Sequence, residues 1–278
     1  MGLKSTAAGV SCLIRPSSEA PPVTVVERPP SEDGAEDRGQ AHAAPAETGP
    51  QPSAGPPAPL VLPLPAGLEA ALPELRRRLP ATARILAVSK GQPVEAIRRA
   101  VALGQRSFAE SRLQEAIAKQ EALADLGALD WHFIGRLQAN KVRGVLRHFG
   151  TIHSLDSLEL AERMARIAAE EGLAPAVLLQ VKLRPDPAKG GLSAEELQQL
   201  WPRLAALKPL RLVGLMTIAP LGLDAAARLE LFRDCASLAD GLGLPERSMG
   251  MSQDWPEAVT AGSTWLRLGG ALFGLRSA

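Results

Sequence analysis

The chain has 278 residues, a formal net charge of +1 and 46% hydrophobic residues, a length for one large α/β barrel or two ordinary domains and a composition that supports a sizeable core. The near-neutral charge gives no general reason to bind nucleic acid or a membrane surface, and no apolar run approaches the roughly 18–20 residues that span a bilayer. The two cysteines, Cys12 and Cys235, offer neither a disulfide framework nor a metal cluster and suit a reducing compartment, so we expect a cytoplasmic protein without a metal.

Residues 1–64 differ in composition from the rest of the chain. Thirteen of the 24 prolines fall between Pro16 and Pro65, among Ala, Gly, Ser and Glu. Such a stretch cannot bury enough apolar surface to offset its ordering entropy, which predicts a disordered tail over 1–64 and a folded domain over 65–278. A targeting signal is the alternative, because Lys4 and Arg15 flank a mildly apolar stretch, but the acidic residues that follow argue against a typical organellar transit peptide.

From Gly67 onward, strand-like runs alternate with amphipathic helical segments. The predicted strands are Ile85–Ser89, Ser107–Glu110, Trp131–Ile134, Thr151–Leu155, Val177–Leu183, Leu212–Thr217, Arg247–Met251 and Trp265–Leu268. The predicted helices are Gly67–Arg78, Pro93–Leu103, Leu113–Ala122, Asn140–Phe149, Leu158–Glu171, Ala194–Leu207, Ala225–Leu242 and Pro256–Ala261. Eight strands separated by helices indicate parallel βαβ units, which usually close as an α/β (β/α)8 TIM barrel, although an open doubly wound sheet shows the same alternation.

The carboxyl ends of the strands are the place to seek functional groups in such a barrel. Lys90 follows the first strand, where a buried lysine is costly unless its charge is lost, paired or used; a snorkelling surface lysine is the alternative. Ser111 follows the second strand and is a candidate cap for the next helix, with Glu115 near its positive end. His132 sits among apolar residues without a second ligand nearby and is expected to be a hydrogen-bonded core histidine. Met216, near the end of the sixth strand, is expected to pack in the mouth.

The last two strands end in loops of small residues. Barrels often bind phosphate in the loops after strands seven and eight, where small residues let backbone N–H groups reach the oxygens. Ser252 adds a hydroxyl after strand seven, and Gly269 and Gly270 follow strand eight. Arg267 alternates with two leucines, so it either projects into the mouth or lies on a surface loop. The sequence therefore indicates a phosphate-binding mouth.

Five motifs, spread from about Gly67 to Leu275, resemble the pyridoxal phosphate homeostasis protein family, also called proline synthase co-transcribed proteins. They are Ala87–Lys90, Trp131–Lys141, Gly214–Ile218, Ser248–Ser252 and Gly262–Thr264 with Arg267 and Gly269. The resemblance implies a single barrel related to the amino-terminal domain of alanine racemase, which binds pyridoxal 5′-phosphate (PLP). It does not cover the proline-rich tail.

The resemblance also implies residue roles. Lys90 would form the Schiff base with the cofactor, and Ser252 with the backbone of Gly269 and Gly270 would hold its phosphate. Arg267 would face the pyridine nitrogen, and Met216 and Met251 would lie beside the cofactor. Family members are regarded as carriers or regulators of free PLP that affect amino-acid and keto-acid pools, without an established catalytic activity.

This sequence departs from the family pattern in three places. Glu110-Ser111 stands where the family usually has Glu-Asn, so Ser111 would replace an amide contact near the lysine. Gly269 is followed by Gly270 instead of Thr or Ser, which removes one phosphate hydroxyl contact. Strand five ends in Val181-Lys182-Leu183 where the family often has Val-Asn, while Lys189-Gly190-Gly191 still resembles the family's Lys-Ser-Gly segment.

Cofactor binding does not by itself make an enzyme. A charged Arg267 at the ring nitrogen would weaken carbanion stabilisation, although racemases of the related barrel carry the same arginine. Those racemases use two bases, one of which is a tyrosine from a second domain. This chain has no tyrosine, and we expect no room for a second domain after Arg276. We therefore expect a cofactor-binding homeostasis protein without catalytic residues.

Two alternatives stay open. One is a weak PLP-dependent amino-acid racemase or transaminase, and the other is a barrel for another phosphate ligand with Lys90 as a simple cation. The expected partners are the small-molecule cofactor and, through it, PLP-dependent apo-enzymes. The family contains monomers and no obvious interface is visible, so we expect a monomer.

Overall fold

The computed structural model describes residues 64–274. The tail prediction falls almost entirely on residues 1–63, which lie outside the described residues, as does Cys12. Among residues 64–274, none of the helices has the length and apolar character needed to cross a bilayer. The same range holds no group of three or more His, Cys, Asp or Glu side chains placed to bind a metal ion.

Eight parallel strands form a closed barrel in which each strand pairs with its sequence neighbours and the last pairs with the first. The strands are β1 (Arg84–Val88), β2 (Ser107–Glu110), β3 (Asp130–Phe133), β4 (Thr151–Leu155), β5 (Ala176–Gln180), β6 (Arg211–Met216), β7 (Glu246–Ser248) and β8 (Trp265–Leu268). The prediction of a (β/α)8 TIM barrel is confirmed, and closure excludes the open-sheet alternative.

Helices connect the strands and cover the outside of the barrel. They are α1 (Leu68–Arg78), α2 (Val94–Ala102), α3 (Leu113–Ala122), α4 (Val142–His148), α5 (Leu158–Glu171), α6 (Ala194–Ala205), α7 (Ala225–Gly241), α8 (Trp255–Thr260) and α9 (Gly270–Phe273). Helix α1 buries Leu68, Leu72 and Leu75, the face that the i, i+4, i+7 spacing predicts. Helix α6 begins with a capping box between Ser193 and Glu196.

The core has two parts, because alternate residues of each strand face opposite sides of the sheet. The larger part lies between strands and helices. The smaller part fills the barrel interior, here called the lumen, and contains the apolar side chains Leu86, Val88, Ala109 and Trp265 with Ile134 packed against them. Leu266 and Leu268 belong to the outer part, so Arg267 between them points into the lumen. Of the two alternatives left open by the sequence, this excludes the surface loop.

Two strands end three residues earlier than predicted, whereas the other strand ends agree with the prediction to within one residue. The fifth strand ends at Gln180 instead of Leu183. Val181 still donates to the Met216 carbonyl at 2.8 Å, and it forms an isolated bridge with Leu192. The seventh ends at Ser248 instead of Met251. Gly250 breaks it with φ +85°, and a side chain there would place its Cβ 2.5 Å from that of Ala258.

Candidate functional site

Lys90 lies at the carboxyl-terminal mouth of the barrel, two residues after β1 ends. The pairing with β2 continues to Ser89, whose N–H donates to the Ala109 carbonyl at 3.0 Å. Since Leu86 and Val88 face the lumen, the same alternation directs Lys90 to the lumen side of the mouth. Lys90 is exposed and makes no hydrogen bond or ion pair with another described residue, so its amine is available to a ligand.

Ser252 lies next to the glycines that follow β8. They belong to the two loops that the sequence singles out at the mouth of the barrel. The Ser252 Oγ accepts a hydrogen bond from the backbone N–H of Ala271 at 3.0 Å, which leaves its own O–H to donate elsewhere. A Cβ on Gly270 would lie 3.8 Å from this oxygen, and one on Gly269 would lie 3.3 Å from the Val88 carbonyl. The small residues therefore keep a hydroxyl and backbone accessible at the rim.

Arg267 is 5% exposed in the lumen. Its Nη1 donates to the Ser248 carbonyl at 2.6 Å and to the Ser248 Oγ at 2.7 Å, and its Nη2 donates to the Thr217 carbonyl at 2.9 Å. Burial lowers the Arg267 pKa to about 10, with the negative charge of Asp254 opposing that shift. The guanidinium is thus charged at neutral pH and held rigidly by three acceptors.

A line of hydrogen bonds, here called the lumen column, runs from Arg267 to the amino-terminal rim of the barrel. Ser248 Oγ lies 2.8 Å from His153 Nδ1, and His153 Nε2 lies 2.8 Å from His132 Nδ1. The column ends where His132 Nε2 lies 2.6 Å from the Asp130 carboxylate. The prediction that His132 is a hydrogen-bonded core histidine is confirmed.

Donor and acceptor roles along the lumen column follow from its two ends. Arginine only donates, so the Ser248 hydroxyl accepts from Arg267 and donates its hydrogen to His153 Nδ1. Burial, followed by the charges of His132 and Arg267, puts the His153 pKa well below its ordinary value. Neutral His153 therefore donates from Nε2 to His132, which in turn donates to Asp130. The column has one consistent polarity, and it anchors Arg267 from below.

Met216 and Met251 were both predicted beside the ligand. Met216 is buried at the end of β6, in register with Ser248 on β7, which places it next to the anchor of Arg267. Met251 is half-buried, and its N–H donates to the Asp254 carboxylate at 2.5 Å. Burial raises the pKa of Asp254, opposed by that hydrogen bond and by the charge of Arg267.

The sequence suggests Ser111 as a cap for α3, and this prediction is wrong. The helix begins at Leu113 with Arg112 at its cap position and without a side-chain cap bond. The Ser111 backbone instead packs against Gly135, where an added Cβ would lie 2.2 Å from the Ser111 carbonyl oxygen. A cofactor contact for Ser111 stays a prediction.

One cavity in the described part of the chain lies away from these groups. Its volume is about 370 Å³, and Arg76, Arg84 and Arg106 contribute to its lining at the start of the strands. Arg84 pairs with Glu246, and Arg76 donates to Gln105 at 3.2 Å. The candidate site lies at the opposite rim, where Lys90 and Ser252 follow the strand ends above Arg267 and where barrels carry their functional residues.

The sequence analysis does not single out His153, and it names Ser248 only as the start of the Ser248–Ser252 motif, without a role. His153 follows Ile152 of the outer core in β4, and Ser248 precedes Met249 of the outer core at the end of β7. Polar residues at lumen positions of β3, β4, β7 and β8 are the signal that could have found them. Their partners come from different strands, so spacing along the chain could not connect them.

Comparison with known proteins places the chain among relatives of one kind. Residues 66–277 match the family model described as alanine racemase, N-terminal domain. A pyridoxal phosphate homeostasis protein of Synechocystis is 48% identical over 209 residues, which is 73% of this chain and 96% of that protein. The protein of the same name from Escherichia coli K12 is 38% identical over 206 residues, 72% of this chain and 88% of that one.

Solved structures show the same barrel. PipY of Synechococcus elongatus without PLP is 50% identical with a TM-score of 0.73, covering 74% of this chain and 100% of its own. PipY with PLP bound is 49% identical with a TM-score of 0.71, covering 73% and 98%. An alanine racemase of Clostridium difficile, 19% identical with a TM-score of 0.61 over 76% of this chain and 57% of its own, shares the fold. The chain belongs to the family of pyridoxal phosphate homeostasis proteins.

Proposed function

We propose that this chain binds PLP at the carboxyl-terminal mouth of its barrel, with Lys90 as the Schiff-base partner, and serves intracellular PLP homeostasis without catalytic turnover. The observation that carries the proposal is Lys90 itself, an exposed amine without a described partner on the lumen side of the mouth. The PLP-bound PipY structure, at 49% identity, supports the choice of ligand.

The donor set of the mouth fits the functional groups of PLP. An aldehyde requires an amine, which Lys90 supplies. A phosphate requires O–H and N–H donors, which Ser252 and the backbone at Gly269 and Gly270 supply without a side chain to block approach. Met216 and Met251 would flank the ring, with Ser111 near the lysine. These assignments are part of the proposal.

Arg267 would set the electronic character of the site. Bound PLP supplies an electron sink whose strength depends on protonation of its ring nitrogen. A charged, buried guanidinium facing that nitrogen disfavours a second positive charge beside it. The lumen column keeps Arg267 in place as a donor. The site therefore favours holding the cofactor over stabilising carbanions, and the absence of tyrosine from the 278 residues argues against the two-base design of racemases.

An absorbance titration tests the binding proposal. Addition of PLP to the full chain should produce the yellow absorbance of a Schiff base, and Lys90→Ala should abolish it and weaken binding. Unchanged spectrum and affinity in Lys90→Ala would overturn the assignment and favour a simple phosphate site with Lys90 as a cation.

A separate incubation tests the absence of turnover. PLP-loaded protein is incubated with single-enantiomer amino acids, with and without a keto acid, and products are followed by chiral chromatography. We expect none above the level of free PLP. Sustained turnover that Lys90→Ala abolishes would establish the racemase or transaminase alternative. A cytoplasmic location, a monomeric state and delivery to PLP-dependent apo-enzymes belong to the same proposal and are supported by the sequence pattern alone.

A further inference from the structure

A second lysine lies buried directly behind Lys90, on the outer side of β1 and β2. Lys119 Nζ donates to the Ser89 carbonyl at 2.7 Å, to Glu110 Oε1 at 2.8 Å and to Glu115 Oε1 at 2.7 Å. Lys119 is 6% exposed and Glu110 is fully buried. We call Lys119, Glu110 and Glu115 the Lys119 cluster.

Both peptide groups that flank Lys90 end in this cluster. On the amino-terminal side, the Ser89 carbonyl accepts from Lys119, while the Ser89 hydroxyl donates to Glu110 at 2.7 Å. On the carboxyl-terminal side, the Gly91 N–H donates to Glu115 Oε1 at 2.5 Å. The same Glu115 oxygen accepts from Lys119. The backbone of Lys90 is therefore fixed on both sides by one set of charges.

The Lys119 cluster is a costly way to fill the space between β2 and α3. Burial raises the pKa of Glu110, with the hydrogen bonds from Lys119 and Ser89 opposing the shift. Its second oxygen, Oε2, has no hydrogen-bond partner within the part of the chain that the structure describes. Buried ion pairs are weak sources of stability compared with apolar side chains of similar volume. Their directional bonds to two specific peptide groups are what apolar side chains could not supply.

We propose that Lys119, Glu110 and Glu115 are positioning residues that hold the Lys90 backbone so that its amine meets the cofactor aldehyde. The inference rests on the proposed function and deepens it. The cluster lies on the helix side of the barrel wall and acts through the Ser89 and Gly91 peptide groups, without touching the ligand. Formation of the bond between Lys90 and the cofactor should depend on the Lys119 cluster, whereas binding of the phosphate and the ring should not.

Two ligands separate these effects. PLP can bond to Lys90, whereas pyridoxine 5′-phosphate carries an alcohol in place of the aldehyde and cannot. Glu115→Ala removes the acceptor of the Gly91 N–H at a half-buried position. We expect it to weaken PLP binding about tenfold, the scale of one lost charge-assisted hydrogen bond, and to slow the appearance of Schiff-base absorbance. Binding of pyridoxine 5′-phosphate should match that of the unsubstituted protein.

Three further variants complete the design. Glu115→Gln keeps an acceptor oxygen at the same reach and should restore most of the PLP affinity. Glu121→Ala, at an exposed position in the last turn of the same helix, is the matched control. It should leave the binding of both ligands unchanged. Glu115→Asp shortens the side chain by one methylene while keeping its charge, so it provides the same comparison if Glu115→Ala does not fold.

The outcomes distinguish this inference from the proposed function. Equal weakening of both ligands in Glu115→Ala or Glu115→Asp would mean that the cluster only stabilises the fold. An unchanged PLP affinity and an unchanged rate of Schiff-base formation would mean that Lys90 does not need the Lys119 cluster. Either result overturns the inference while the unsubstituted protein still forms its Schiff base. An unsubstituted protein that binds neither ligand overturns the proposed function, and the inference falls with it.

Discussion

Ser248 and Ser154 are two buried serines with opposite hydrogen-bonding situations, and they predict opposite effects of the same substitution. The Ser248 hydroxyl joins Arg267 to His153 in the lumen column, at 2.7 and 2.8 Å. The Ser154 Oγ is buried without a hydrogen-bond partner among the described residues. Ser248→Ala should therefore destabilise the fold, whereas Ser154→Ala should not.

The magnitude for Ser248→Ala follows from the groups left behind. Arg267 loses one acceptor but keeps the carbonyls of Ser248 and Thr217. His153 Nδ1 loses its donor in a fully buried position. A hydrogen bond to a charged group is worth about 1.5–3 kcal/mol and an unsatisfied buried group costs about 1–3 kcal/mol. Since Arg267 stays partly satisfied, we expect the free energy of unfolding to fall by about 2–4 kcal/mol.

Urea unfolding followed by far-ultraviolet circular dichroism measures this difference for the unsubstituted protein and both variants. Ser154→Ala should leave the free energy of unfolding unchanged or raise it by up to about 1 kcal/mol, because it removes an unsatisfied hydroxyl. Equal losses of stability in Ser248→Ala and Ser154→Ala would refute the assigned roles in the lumen column.

Three further predictions concern separate parts of the barrel. Burial acts to raise the pKa of Asp130, but the hydrogen bond from His132 and nearby positive charge lower it overall. The stabilisation that Asp130 contributes is present above its unfolded pKa and is lost as pH falls through its folded pKa. The urea midpoint should therefore drop less between neutral and acidic pH in Asp130→Asn than in the unsubstituted protein, and an equal drop would contradict this. Burial raises the pKa of Cys235 to about 12, so mass mapping after iodoacetamide should find it unlabelled in native protein at neutral pH and labelled in urea, whereas native labelling would disprove its burial. An alanine at Gly250 would adopt φ +85° and place its Cβ 2.5 Å from that of Ala258, whereas an alanine at Gly127 would adopt φ +72° with no atom within 4 Å. Thermal unfolding should show that Gly250→Ala lowers the free energy of unfolding by more than the roughly 1 kcal/mol expected for Gly127→Ala. Equal losses would contradict the close contact between Gly250 and Ala258.

Much of the barrel could be predicted because two periodicities repeat along the chain. Apolar runs at strand spacing and the leucines of α1 at helical spacing depend on local sequence alone. The ends of β5 and β7 depend on partners elsewhere. Val181 forms a bridge with Leu192 just after β5 ends, and Gly250 turns the backbone where it packs against Ala258 of α8. Neither contact is visible in a run of apolar residues.

The site could be predicted at its rim but not in its support. Strand alternation predicts the sides on which Lys90 and Arg267 lie, and the hydrogen bonds of Arg267 to Ser248 and Thr217 agree with its lumen position. The lumen column and the Lys119 cluster join side chains that lie up to 95 residues apart in sequence. The sequence predicts Glu115 only as a charge near a helix start, whereas its carboxylate also accepts from the Gly91 N–H next to Lys90. Such roles depend on which strands become neighbours after the barrel closes.

The central claim is that one particular lysine bonds to the cofactor. Borohydride reduction of the PLP-loaded protein, followed by peptide mass spectrometry, tests it most directly, because reduction makes the bond permanent. The candidates are Lys4, Lys90, Lys119, Lys141, Lys182, Lys189 and Lys208. We predict a single stoichiometric pyridoxyl-phosphate mass on the peptide that contains Lys90. Stoichiometric label on another lysine, or label spread over several exposed lysines with Lys90 unmodified, would contradict the account.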